Sequence, residues 1–299
     1  MRYLLGCVLL GMLAAPALAI TVDGTRDAGY GSALAVQTVQ TQFGDANPNG
    51  GTEWDAGYGV IEGGRLYLML TGNLEANFNK LEIWIDSKAG GQSVFDSSGN
   101  DNANRMDGLV FDAGFTADYH MIARRGNNSG NDTFDFDFAN LGAQSASGYP
   151  DMMGGNTGTG STGTGVNASP IDVGYDNSNT LGVTAGTAAA DQTAAALVAT
   201  GLELSIDLND LGYTGGPINV MVGQNGGGHD YWSNQFLGGL AAPQGNLGGD
   251  GAGNFTGEGA IDFTLFAGDQ YFTVPIPEPA SVTLVGLVLA GLASVRRRK

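Results

Sequence analysis

Arg65-Leu66-Tyr67-Leu68-Met69-Leu70-Thr71 and, a few residues on, Lys80-Leu81-Glu82-Ile83-Trp84-Ile85-Asp86 place an aliphatic residue at every second position. Leu66, Leu68 and Leu70 fall on one side of the first segment, with Tyr67, Met69 and Thr71 on the other. In the second, Leu81, Ile83 and Ile85 alternate with Glu82, Trp84 and Asp86. A period of two belongs to extended chain, whose successive side chains point to opposite faces. Each segment therefore predicts a strand with one face on a core.

The same pattern recurs along the chain. Phe134, Phe136 and Phe138 alternate with Asp135 and Asp137, and Leu202, Leu204, Ile206 and Leu208 alternate with Glu203, Ser205 and Asp207. Ile261, Phe263 and Leu265 repeat it near the end. One apolar and one mostly polar face is the signature of antiparallel strands covered on one side. Gly, Asn, Asp and Ser between the rows supply turns. No amphipathic helix longer than a few turns interrupts them; the alanine-rich 187–199 stretch lacks an apolar stripe, which leaves its state open. The expectation is all-β: a single antiparallel β-sandwich, jelly-roll-like, over residues 20–274. Residues 142–170 are mostly Gly, Ser, Thr, Asn and Ala. They offer too little apolar area to offset ordering entropy and read as a flexible insertion within one domain.

Composition narrows the chemistry. Glycine supplies 51 of 299 residues, well above the usual share of about 7%. Twelve Lys+Arg face 30 Asp+Glu, a formal charge of −18, which removes any electrostatic footprint for nucleic acid. Cys7 is the one cysteine, and it lies in a segment that reads as a leader. Disulfide scaffolds, thiolate metal sites and thiol nucleophiles are thereby excluded from the body.

Both ends read as addresses. Met1-Arg2, an apolar stretch and Ala17-Leu18-Ala19 fit a secretory signal peptide over 1–19. At the other end, Pro277-Glu278-Pro279 precedes an apolar run over 280–295 and the basic block Arg296-Arg297-Arg298-Lys299. As helix the run spans about 24 Å, somewhat short of a hydrocarbon core of about 30 Å. The basic block would hold its end in the cytoplasm. An ordinary C-terminal anchor is the plainer reading of this run. In that order, however, the three parts resemble the PEP-CTERM sorting signal of Gram-negative bacteria. The resemblance covers 275–299 and implies recognition by an exosortase, a transient stay in the inner membrane through a transmembrane helix, and removal of that helix near Pro277-Glu278-Pro279. It further implies release or attachment at the cell surface and association with exopolysaccharide. Loss of 1–19 and 280–299 would remove five cations and no acids, leaving seven against 30, a net of −23.

A second resemblance concerns the body. Asp23-Gly24, the rows at 66–70 and 80–86, and Gly201 to Asp210 ending in Leu211-Gly212 are similar in order to carbohydrate-binding sandwiches of the family 9 and DOMON-like kind. Residues 233–240 and 263–272 are similar to the bodies of other PEP-CTERM proteins. These resemblances imply a fold and name no ligand.

Two candidate sites follow from residue type. Asp96, Ser98, Asn100, Asp101, Asn102 and Asp107 form an oxygen-rich segment of the kind that loops offer to Ca²⁺, although the EF-hand glycine and terminal glutamate are missing. Without an ion they are a solvated loop. Tyr67 and Trp84, with Trp54 and Trp232, present rings that suit sugar faces, unless the fold covers them. His120 and His229 stand in no nucleophile or HExxH pattern and read as surface or structural residues. The sequence thus predicts an exported, non-enzymatic protein, structural or adhesive in an exopolysaccharide matrix, with carbohydrate as a ligand. A secreted polysaccharide-active hydrolase and a calcium-binding adhesin are the rival expectations.

Overall fold

Gly63 and Gly64, with φ of 59° and 82°, reverse the chain between Glu62 and Arg65. Two successive left-handed residues make the turn that matches strand twist, so the leucine row at 66–70 folds back on residues 53–62. Ser129 and Gly130, with φ of 55° and 92°, do the same between Asn128 and Asn131. The computed structural model describes residues 19–44, 51–256 and 261–276. All but the last residue of the expected signal peptide over 1–19, Pro277, Glu278 and Pro279, the apolar run 280–295 and Arg296, Arg297, Arg298 and Lys299 lie outside the described residues.

In chain order the strands are β1 (Ala35–Val36), β2 (Glu53–Glu62), β3 (Arg65–Asn73), β4 (Lys80–Asp86), β5 (Tyr119–Asn128), β6 (Asn131–Asn140) and β7 (Ser145–Met153). They continue with β8 (Thr157–Ser161), β9 (Asp172–Asp176), β10 (Gly201–Asp207), β11 (Ile218–Asn225), β12 (Trp232–Leu237) and β13 (Tyr271–Val274). The fold is all-β, in two antiparallel sheets. One runs β1-β2-β3-β10-β9-β8 and the other β12-β11-β4-β5-β6-β7, with β13 also paired to β11. Long-range pairs hold the centre of each: β3 with β10 in the first, β4 with β11 in the second.

The predicted inward rows meet in one core. Leu66, Leu68, Leu70, Leu202, Leu204 and Ile206 from the first sheet share a buried cluster with Leu81, Ile83, Ile85, Phe134, Phe136 and Phe138 from the second. Trp54 crosses between the sheets, its indole N–H donating to Gln224 Oε1 at 2.9 Å.

Two expectations need correction, and one question left open is answered. Residues 142–170 hold β7 and β8, which close one edge of each sheet. Ladder hydrogen bonds to existing strands require no apolar side chain, and buried Asn167 ties the following loop by donating to Thr162, Gly163 and Ser169. Ile261, Phe263 and Leu265 do not form a strand. Asp262 accepts from the Thr264 N–H and pulls residues 263–265 into a 3-10 turn that leaves Leu265 exposed. The alanine-rich stretch contains only α1 (Gln192–Leu197), capped by the Asp191 side chain.

The outer faces depart most from the alternation. Loops cover both sheets, so residues that read as solvent-facing are buried. Over the first sheet, Glu203 accepts from the Asp23 and Gly24 N–H groups and from the Tyr30 hydroxyl, fastening the segment that leads into β1. Over the second, the excursion between β4 and β5 and the one between β12 and β13 build a separate aromatic core on Trp84 and Trp232.

Candidate functional site

Glu82, His120 and Trp84 stand on the covered face of the second sheet. Register sets His120 opposite Trp84, and the two rings stack at 4.9 Å. Glu82 is fully buried and takes one imidazole on each oxygen: His120 Nε2 at 2.8 Å and His229 Nδ1 at 2.7 Å. His229 Nε2 reaches the Asp101 carbonyl at 2.9 Å and sits 2.8 Å from the Lys80 ammonium. Lys80 in turn binds Asp101 Oδ2 at 2.5 Å, and Arg124 joins the same carboxylate at 3.2 Å and pairs with Asp137.

Charge balance explains why so many ionisable groups tolerate burial together. Burial alone would raise the Glu82 carboxyl, but the imidazoles of His229 and His120 override it and hold Glu82 at about 2. Burial pulls His229 down, and Glu82 more than reverses this, raising it to about 9. Asp101 is held well below the usual carboxylate range by His229, Lys80 and Arg124, against the opposing effect of its burial. The stabilisation attached to His229 is complete below its unfolded value near 6.5 and is lost as pH rises through about 9. The part attached to Glu82 is complete above 4.5 and is lost as pH falls through about 2. His229 is therefore expected to remain an imidazolium at neutral pH. Its ring signals in an NMR titration should move near pH 9; a midpoint at or below 6.5 would overturn the assignment.

The candidate sugar-binding tryptophans are interior. Trp84 and Trp232 are 0% exposed and Trp54 is 1% exposed. Trp84 is packed by Phe95, Phe111, His120 and Trp232, while Trp54 belongs to the inter-sheet core. Alternation correctly places Trp84 opposite the Leu81 row, but the covering loops make that side a second core. Of the four, only Tyr67 remains partly exposed. It lines a cleft of about 560 Å³ on the first sheet, beside the Arg65–Asp172 ion pair and Ser205.

The acidic loop does not converge either. Asp96 and Asp107 are exposed, and Asp107 caps the Ser97 N–H. Ser98 is half-buried and Asn100 opens a 3-10 segment. Asp101 and Asn102 adopt φ of 48° and 61°. This break turns the Asp101 carboxylate inward to Lys80 and Arg124 and leaves Asn102 exposed. A cation arriving at Asp101 would meet an ammonium already 2.5 Å from the oxygen it needs. Among the described residues no group of three His, Cys, Asp or Glu side chains is placed to hold a metal ion.

The alternation did not reveal a surface feature beside the buried network. Gly226, Gly227 and Gly228 floor a cleft of about 500 Å³ whose walls include Phe43, Tyr231, Phe255, Asn79 and Asp230. A second cleft of about 410 Å³, lined by Asn102, Asn104 and Arg105, shares Gly227 and Gly228. The triple glycine was visible in the sequence. Its aromatic walls were not, because only Tyr231 shares the glycine loop, while Phe43 and Phe255 come from loops far along the chain.

Residues 275–299 match the PEP-CTERM protein-sorting motif. No curated protein and no solved structure matches the chain. The motif marks a protein processed by an exosortase and exported through a membrane to the cell surface or beyond. Among the described residues no helix is long and apolar enough to cross a membrane.

Proposed function

We propose that this chain, which carries a PEP-CTERM sorting motif over 275–299, is a non-catalytic structural or adhesive component of the exopolysaccharide matrix of a Gram-negative cell. Its body is a β-sandwich of jelly-roll type that remains intact after processing. The observation that carries this reading is where the last described strand ends. β13 pairs with β11 from Ile218↔Val274 to Met221↔Tyr271, and Val274 is fully buried. Gly59 makes room for it: a Cβ there would lie 2.4 Å from a Val274 methyl. The last described strand is thus locked into the sheet just before Pro277, so cutting the chain at the motif leaves in place every strand pair among the described residues.

A passive role is supported by the closure of the most chemically suggestive cluster. Glu82, His120 and His229 are at most 1% exposed and satisfy one another, whereas a general acid or base must reach its substrate. Changing Pro277-Glu278-Pro279 to three alanines is expected to leave the precursor in the membrane fraction. Cell fractionation with immunoblotting would show this as loss of the shorter released form. An unaltered ratio of released to membrane-bound protein would overturn the sorting reading.

A further inference from the structure

We propose that the cleft floored by Gly226–Gly228 is a saccharide-binding site, taking a neutral sugar ring against the exposed face of Phe255, which Tyr231 backs. This deepens the matrix reading above and rests on it for biological context, although the chemistry stands on the cleft itself. Phe43, Tyr231 and Phe255 form a near-parallel series, with centroids 6.2 and 5.7 Å apart and interplanar angles of 23° and 22°. Phe255 is 68% exposed. An exposed aromatic face beside polar groups suits the C–H face of a pyranose, whose hydroxyls need partners at the rim.

The rim supplies both kinds of partner. Asp230 accepts and Arg105 donates, and the two pair at 3.2 Å; Asn79 offers an amide on the same wall. Because Arg105 already neutralises Asp230, the site suits an uncharged diol better than a cation. A body of net charge −23 also repels polyanions at long range. At about 500 Å³ the cleft beside Tyr231 and Phe255 alone lies within the range of about 300–1,000 Å³ usual for small-molecule sites.

Backbone strain points to the same place. Among the described residues, seven other than glycine adopt positive φ, and four lie in or directly beside residues of the two clefts: Asn102 lines the smaller one, Asp101 precedes it, Phe78 precedes Asn79, and His229 stands buried between Gly228 and Asp230, at 61°, 48°, 62° and 58°. Such conformations persist only where surroundings enforce them, and they concentrate at binding sites. Here the enforcing groups are visible. Glu82, Lys80 and Asp101 grip His229 from below, and Arg105 bonds the Gly228 carbonyl at 3.1 Å. A Cβ on Gly228 would lie 2.9 Å from Asp230 Oδ1 and 3.0 Å from Arg105, so glycine is what lets the ion pair close over the loop. The buried network thus positions the cleft wall and does not contact the sugar.

The test is sedimentation of the full chain, purified in a detergent without a sugar headgroup, with cellulose, chitin or galactomannan, and with alginate as the anionic control. Saturable binding to at least one neutral polymer is expected, with little to alginate. Phe255→Ala and Tyr231→Ala should weaken it at least tenfold while leaving the melting temperature of the Phe255 variant unchanged. Tyr67→Ala, in the other cleft, should bind as the parent does. Absence of saturable binding to all three neutral polymers, binding to alginate alone, or binding that Phe255→Ala leaves intact would overturn the site. A chain that is exported and processed yet binds nothing would remove only this inference. One that binds but is never processed would remove only the sorting reading.

Discussion

Glu82→Gln is expected to lower the unfolding free energy by about 3–5 kcal/mol near pH 6, the usual cost of removing one partner from a buried ion pair. Glutamine keeps the shape and can still meet one imidazole. It cannot carry the charge that holds His229 as a cation, with Lys80 2.8 Å from the same ring. Two responses remain. His229 can discharge, in which case its bare Nε2 accepts from Lys80 and part of the loss is recovered. Otherwise the wall at 226–231 opens and lets water in. The parent makes the same exchange at high pH, when His229 loses its proton. The difference between parent and variant should therefore be largest between about pH 5 and 6.5 and shrink toward pH 9 and above. Urea denaturation at several pH values measures it. A deficit that is the same at every pH would assign the effect to packing and not to charge.

The inner half of the fold was legible from alternation because burial on the core side leaves a chemical signature in every second residue. Leu66, Leu81, Phe134 and Leu202 all stand in the shared core. The outer half was illegible for the same reason. Glu82, His120 and Glu203 look like solvent-facing residues when each strand is read alone, since nothing local states that a loop some 20 to 180 residues away will cover them. The polar groups there are satisfied by one another and not by water, which only three-dimensional pairing can reveal. Residues 142–170 show the complementary failure. Apolar content indicates whether a segment can form a core, but β7 and β8 need only a strand edge to pair with. Asp101 illustrates a third limit: a run of acids and amides gives the number of oxygens, whereas their convergence depends on two left-handed residues whose position in the run no residue count supplies.

Trp84→Ala is expected to cost about 3–5 kcal/mol, and this separates its two readings. As a sugar platform on an open face, the indole could be truncated with little effect on folding and a large effect on binding. As the centre of the outer core, it supports Phe95 and Phe111 edge-on and His120 face-on. Its removal would leave a cavity beneath the excursion between β4 and β5, the segment that also delivers Asp101 to Lys80. The loss should therefore exceed simple transfer of the indole, because the ion network sits over the same void. Trp84→Phe discriminates further. The indole N–H has no hydrogen-bond partner among the described residues, so a phenyl ring removes an unsatisfied donor along with the lost volume. It should recover more than half of the alanine deficit in the same denaturation measurement. If Phe proved as destabilising as Ala, the indole N–H would have to be making a bond, and the covering loops would lie differently over the sheet. If neither substitution changed stability, Trp84 would not be the keystone of the outer core, and the argument that buries Glu82 beside it would fail with it.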